Sequence, residues 1–234
     1  MKCKLFVFRH AETTDNSRGI FSGWRDSVLT SRGVLQAHEI AKQLSRYRIG
    51  YAFTSHLKRA RQTLKIVLEN HPPIPVFGDD RLIERCYGLL QGRSKRKFER
   101  ENPDFYARFH RGYYLAPPEG ESLEMVDKRV MAFFNQLREW LTRNSGNVAI
   151  SCHSNSIRPF RRIFENLGLT QMCALESPQD RALIYELDLG DLSLIHPKQK
   201  GVKADWEGVI VPKQLRLATD SQNPLRKYYY VSKI

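Results

Sequence analysis

The 234-residue sequence predicts an α/β fold in three layers, a mostly parallel sheet flanked by helices. Three observations point there. Short apolar runs at Lys4–Phe8, Tyr51–Thr54, Val148–Cys152 and Ala182–Leu187 have the length of strands buried in a sheet. Between them lie stretches whose apolar residues recur every three or four positions, as on one face of a helix. A chain that alternates strand and helix closes through right-handed crossovers, which pair most strands in parallel.

After the first strand comes a polar loop. Thr30 is placed to cap a helix over about residues 31 to 46, with Val34, Ala37, Ile40, Ala41 and Leu44 on its inner face. Tyr51–Thr54 follows as the second strand, and Leu57, Ala60, Leu64, Val67 and Leu68 give the next helix its stripe. His71-Pro72-Pro73 ends that helix and leaves Ile74–Phe77 as a short peripheral strand, because proline has no N–H to donate. Residues 88–121 are basic and aromatic, with Gly and Pro at both borders, and read as a helical cap excursion over the sheet. Glu121-Ser122 opens a long helix carrying Val126, Val130, Phe133, Phe134, Leu137 and Leu141. Another helix follows the strand Val148–Cys152, with Ile157, Phe160, Ile163, Phe164 and Leu167 inward and Pro159 expected in its first turn. One catalytic domain over 1–195 is expected, then a basic tail over 196–234. There Trp206, Val209, Ile210, Val211 and Leu215 argue that part of the tail docks.

No apolar run approaches the roughly 20 residues of a membrane span, and Met1-Lys2-Cys3-Lys4 lacks the apolar stretch of a signal peptide, so a cytoplasmic location is expected. Cys3, Cys86, Cys152 and Cys173 lie far apart, which predicts reduced, mostly buried thiols rather than a disulfide or zinc framework. The net charge of +13 favours an anionic ligand. Arg93-Ser94-Lys95-Arg96-Lys97 and Arg226-Lys227-Tyr228-Tyr229-Tyr230 mix bases and aromatics as single-strand binders do, but no nucleic-acid-binding motif accompanies them. A basic pseudoenzyme that binds nucleic acid is therefore kept as a minor alternative.

Chemistry concentrates at two strand ends. His10 follows the first strand and His153 follows Val148–Cys152, and in open α/β sheets ligands bind beyond the carboxyl ends of the strands. A neutral imidazole attacks phosphorus, and a phosphohistidine splits one displacement into two easier ones. Arg9 offers a planar guanidinium to two phosphate oxygens, and Asn16, Ser22 and Gly23 follow it as further donors. Arg59 starts the helix after the second strand and supplies a second cation. Glu84 is the candidate general acid. Neither an H-x-x-x-H pair nor an Asp-rich cluster lies near the two histidines, so no metal is expected.

These segments resemble the histidine phosphatase superfamily, and within it the cofactor-dependent phosphoglycerate mutases, in a short form lacking the insertion of longer members. Arg9-His10-Ala11-Glu12-Thr13 is similar to R-H-G-x-[ST], Phe21-Ser22-Gly23-Trp24 to F-T-G-W, and Glu84-Arg85-Cys86-Tyr87-Gly88 to E-R-x-Y-G. His153-Ser154-Asn155-Ser156-Ile157-Arg158 is similar to H-G-N-S-L-R. The resemblance spans about residues 4 to 188 and implies a phosphoglycerate mutase-like fold. It further implies that His10 is phosphorylated, that Glu84 gives and takes a proton, and that Arg9, Arg59, His153 and Asn16 hold the transferring group. Ser22, Gly23, Arg85, Tyr87 and Lys95 would grip the rest of the substrate, with His110, Arg111, Ser154 and Asn155 beside them. The implied reaction interconverts 3-phosphoglycerate and 2-phosphoglycerate, with 2,3-bisphosphoglycerate as phosphoryl donor and no metal. The alternative is a phosphatase acting on small phosphorylated metabolites.

Three departures bear on substrate. His110-Arg111 stands where the mutases carry Arg-Arg, and a histidine charges only partly at neutral pH. Ala11 and Ser154 replace the glycines that follow the two histidines, where a side chain would crowd a ligand. Gln179-Asp180-Arg181-Ala182 replaces T-G-x-P. Mutase and phosphatase differ in whether water receives the phosphoryl group, and the tail is expected to act as a lid that keeps water out.

Overall fold

Strand β1 (Lys2–Arg9) lies inside a five-stranded sheet of order β3-β2-β4-β1-β5. The computed structural model describes residues 2–110 and 112–189, so Arg111 and the expected lid over 196–234 lie outside the described residues. β2 (Tyr51–Thr54), β3 (Val76–Gly78) and β4 (Val148–Cys152) run parallel to β1, and β5 (Leu183–Asp188) is antiparallel to it at one edge. The period of two along β1 divides the core. Phe6 and Phe8 face Ile40 and Leu44 of α2 (Ser31–Leu44) and Leu64 and Val67 of α3 (Lys58–Leu68). Leu5 and Val7 face α6 (Leu123–Arg143) and α7 (Ser154–Phe164) through Val130, Phe133, Phe134, Ile157 and Phe160. Each such side chain, fully buried, contributes about 1.5–3 kcal/mol.

Register places the chemistry. Arg9 pairs with Cys152 and Thr54 with Ser151, so His10, His153 and Ser55 emerge side by side from β1, β4 and β2. The peptide N–H of His10 donates to the Cys152 carbonyl at 3.0 Å and fixes the two strand ends together. The excursion forms α4 (Lys95–Glu101) and α5 (Pro103–His110), whose Phe98 and Phe109 pack with Phe21, Tyr87 and Leu90.

Local details differ from expectation. The polar loop after β1 contains a one-turn helix, α1 (Thr14–Ser17), closed by reciprocal bonds between Thr13 and Asn16. A second short helix, α8 (Leu169–Ala174), precedes β5. In α2 the inner face runs through Gly33 rather than Val34, which is 37% exposed. A Cβ at Gly33 would sit 2.1 Å from the Glu12 carbonyl oxygen, so the close approach of helix to loop turns Val34 outward. Pro159 is the sixth residue of α7, not in its first turn, and leaves the Asn155 carbonyl without its helical donor.

Candidate active site

His10 and His153 are almost completely buried, with ring centroids 5.1 Å apart. Nδ1–H of His10 donates to the Ala11 carbonyl at 2.8 Å, which fixes the tautomer and leaves the lone pair on Nε2. Nε–H of Arg59 donates to that Nε2 at 3.2 Å, while its two other nitrogens donate to the carbonyls of Arg25 and Gly23, both at 2.7 Å. Burial, with the Arg59 charge next in weight, holds both histidines well below the usual 6.5. Both rings are therefore neutral at physiological pH. Arg59, its pKa drawn down to about 10 by burial, remains cationic there. Nε2 of His153 meets Ser55 Oγ at 2.8 Å, and its Nδ1 has no hydrogen-bond partner.

The Glu84 carboxylate is held on the same pocket. Its Oε1 accepts from the Arg85 peptide N–H (2.8 Å) and from both the peptide N–H (3.3 Å) and Nδ2–H (3.0 Å) of Asn155. The Glu84 carbonyl accepts from the Trp24 indole at 2.6 Å and from Arg129 at 3.1 Å. Arg129 in turn forms a buried ion pair with Glu121, whose other oxygen takes the Cys86 peptide N–H at 2.8 Å. Gly88 adopts φ +51°, and a Cβ there would meet the Pro118 carbonyl oxygen at 2.0 Å. The loop bearing Glu84 is thus fixed by α6 and by the 117–121 segment.

Arg9, His10, Arg59 and Glu84 line one pocket, and His153 lies behind His10. Asn16, Ser22, Gly23, Tyr87, Lys95, His110, Ser154 and Asn155 line it with them, and Asn155 Nδ2–H donates to the Tyr87 hydroxyl at 3.2 Å. His110 stacks on Tyr106, centroids 4.6 Å apart. Arg85 is placed elsewhere. It is completely buried, and its guanidinium donates to the carbonyls of Glu121, Phe109 and Leu115, so it ties the cap to the Glu84 loop instead of reaching the pocket. Ligand atoms of His10, Glu84 and His153 lie within 4.8 Å of one another, close enough for a metal ion to span, but the arginine donors around them suit an anion.

The sequence pattern described as Histidine phosphatase superfamily (branch 1) matches residues 5–194. The chain belongs to this superfamily. Among curated relatives, a 2,3-bisphosphoglycerate-dependent phosphoglycerate mutase of Cytophaga hutchinsonii is 33% identical over 197 residues, covering 82% of this chain and 92% of the relative. Among solved structures, Bacillus stearothermophilus YhfR superposes with a TM-score of 0.70 at 26% identity, over 83% of this chain and all of that one. The alpha-ribazole phosphatase of Shigella flexneri gives 0.68 at 25% identity, over 79% and 90%.

Within this histidine phosphatase fold the departures from the superfamily pattern have distinct settings. Ala11 is buried away from the pocket, its N–H donating to Thr63 at 3.0 Å, whereas Ser154 lines the pocket. Gln179 donates to the His10 carbonyl at 3.2 Å and to Asn16 Oδ1 at 3.0 Å, and so orients an amide that lines the pocket. Three pocket residues were not anticipated: Ile20, Arg158 and Glu176. Arg158 was within reach of sequence reasoning, since it follows Ser154 by four residues on a helix and shares its face. Nothing in the sequence pattern marks Glu176.

Proposed function

We propose that the protein transfers a phosphoryl group through Nε2 of His10, interconverting 3-phosphoglycerate and 2-phosphoglycerate. The observation that carries this reading is the Nδ1–H bond to the Ala11 carbonyl, which puts the lone pair of a neutral ring on Nε2, where Arg59 Nε–H holds it until a phosphoryl group takes that place. In the first step Nε2 bonds to phosphorus as the bond from phosphorus to the donor oxygen breaks, and Glu84 delivers a proton to that oxygen. In the second, Glu84 takes the proton from an acceptor hydroxyl as its oxygen displaces the imidazole. Arg9, Arg59 and Asn16, which line the pocket, offset the charge spread over the phosphoryl oxygens, with the His153 ring 5.1 Å from that of His10. With 2,3-bisphosphoglycerate as donor, the bound bisphosphate returns either phosphate to His10, and no metal enters the cycle. Relatives named as 2,3-bisphosphoglycerate-dependent mutases over most of the chain support this assignment.

Hydrolysis is the second reading. It is favoured by His110 on the pocket wall where the mutase pattern has an arginine, since that gives a weaker clamp on a substrate's second charge. One incubation separates the two. Purified protein with 3-phosphoglycerate and a trace of 2,3-bisphosphoglycerate is followed for 2-phosphoglycerate and inorganic phosphate together. Isomer without phosphate supports the mutase, and phosphate without isomer supports the hydrolase. A donor-derived label on the protein that is stable to alkali and lost in acid, and absent from His10→Ala, is expected in either case; its absence from the unaltered protein rejects the phosphohistidine.

A further inference from the structure

Three successive carbonyls, those of Leu175, Glu176 and Ser177, each accept a hydrogen bond from an arginine: Arg158 at 3.0 Å, Arg161 at 3.0 Å and Arg9 at 3.2 Å. Two of these arginines line the pocket, so the segment is fixed against the site by the site's own cations. Glu176, at its centre, lines the same pocket. Its charge helps keep Arg9 protonated against the burial that opposes it, which places the carboxylate within electrostatic reach of the phosphate-binding guanidinium. The transfer chemistry has no use for this second carboxylate, because Glu84 is already placed for both proton steps.

We propose that Glu176 is a specificity-determining residue whose charge weakens the hold on a second anionic group on the Arg9 and Arg158 side of the pocket, and so lowers the preference for 3-phosphoglycerate over a phosphate ester with a neutral remainder. This rests on the phosphoryl-transfer reading and sets how strongly that site discriminates by the charge on the rest of the substrate. A carboxylate in one pocket with the Arg9 and Arg158 guanidiniums cancels part of the field that would otherwise hold a substrate carboxylate or second phosphate, and like charges across a binding surface act mainly on selectivity. Glu176 is also exposed to water, so the effect is moderate and screened by salt.

The test compares two ligands that differ only at the relevant end: 3-phosphoglycerate, with a carboxylate, and glycerol 3-phosphate, with a hydroxymethyl group. Glu176→Gln removes the charge and keeps the shape. Roughly three- to tenfold is the expected shift of the selectivity ratio toward 3-phosphoglycerate, expressed in KM rather than kcat and reduced at high salt. Glu176→Asp, which keeps the charge, should retain the original ratio. An equal change for both ligands, or none, overturns the inference. Dissociation constants from calorimetry give the same comparison for a ligand that is not turned over, so failure of the proposed reaction and failure of this inference are read separately.

Discussion

At the scale of single residues, the site depends on keeping two imidazoles neutral and several guanidiniums charged in one buried place. The sign of the resulting pH dependence follows from linkage. His10 and His153 have folded pKa values well below 6.5, so between those values and 6.5 the unfolded chain binds more protons. This contribution to stability is fully present above about pH 6.5 and is lost as pH falls below it. Urea midpoints measured from pH 7.5 down to 5 should fall, and fall less in His10→Asn. Arg59→Lys should lower kcat by about 10²–10³-fold, because an ammonium cannot hold two carbonyls and a phosphoryl oxygen in one plane; steady-state kinetics at saturating substrate checks it. His10, Arg9, Arg59 and Glu84 were legible because short motifs at strand ends fix both their type and their place. Arg85 was not, since adjacency to Glu84 says nothing about direction: the chain turns between them and sends one side chain to the pocket and the next into the core. Glu176 was invisible because a lone carboxylate in a loop has no period and no motif.

Among the elements, α6 reaches from the apolar core to the chemistry. Its inward stripe packs under the sheet, and Arg129 on the same helix holds the Glu84 carbonyl while paired with Glu121. Arg129→Met leaves the Glu121 carboxylate buried without its partner and should destabilise the protein by about 3–5 kcal/mol in thermal or urea unfolding. If the fold survives, the same change should lower kcat more than it raises KM, since Glu84 loses a support while the contacts of Arg9 and Arg59 are untouched. Strand and helix positions were readable from periodicity. Gly33 taking the place of Val34 on the inner face of α2 was not, because it follows from how closely one backbone approaches another, and Pro159 in the second turn of α7 was not, because the helix starts at Ser154 directly after His153. Periodicity reports which face is buried and carries no information about that distance.

Over the whole molecule, the formal charge of +13 and the cationic pocket should draw anionic substrates inward, so kcat/KM should fall as sodium chloride is raised while kcat changes little. Sheet order has a consequence in time. Among the described residues β1 pairs with β4 and β5, through contacts such as Leu5 with Val148 and Lys2 with Asp188. A ribosome adding about 5–20 residues per second releases the partner strands on the order of ten to thirty seconds after β1. Until then β1 presents unpaired edges and an apolar face to whatever it meets, a natural period for chaperone capture. His10 rides on the end of that waiting strand and His153 on the end of β4, so a nascent chain brings its two site histidines together only once β1 has paired with a strand synthesised long after it, and no turnover precedes that step.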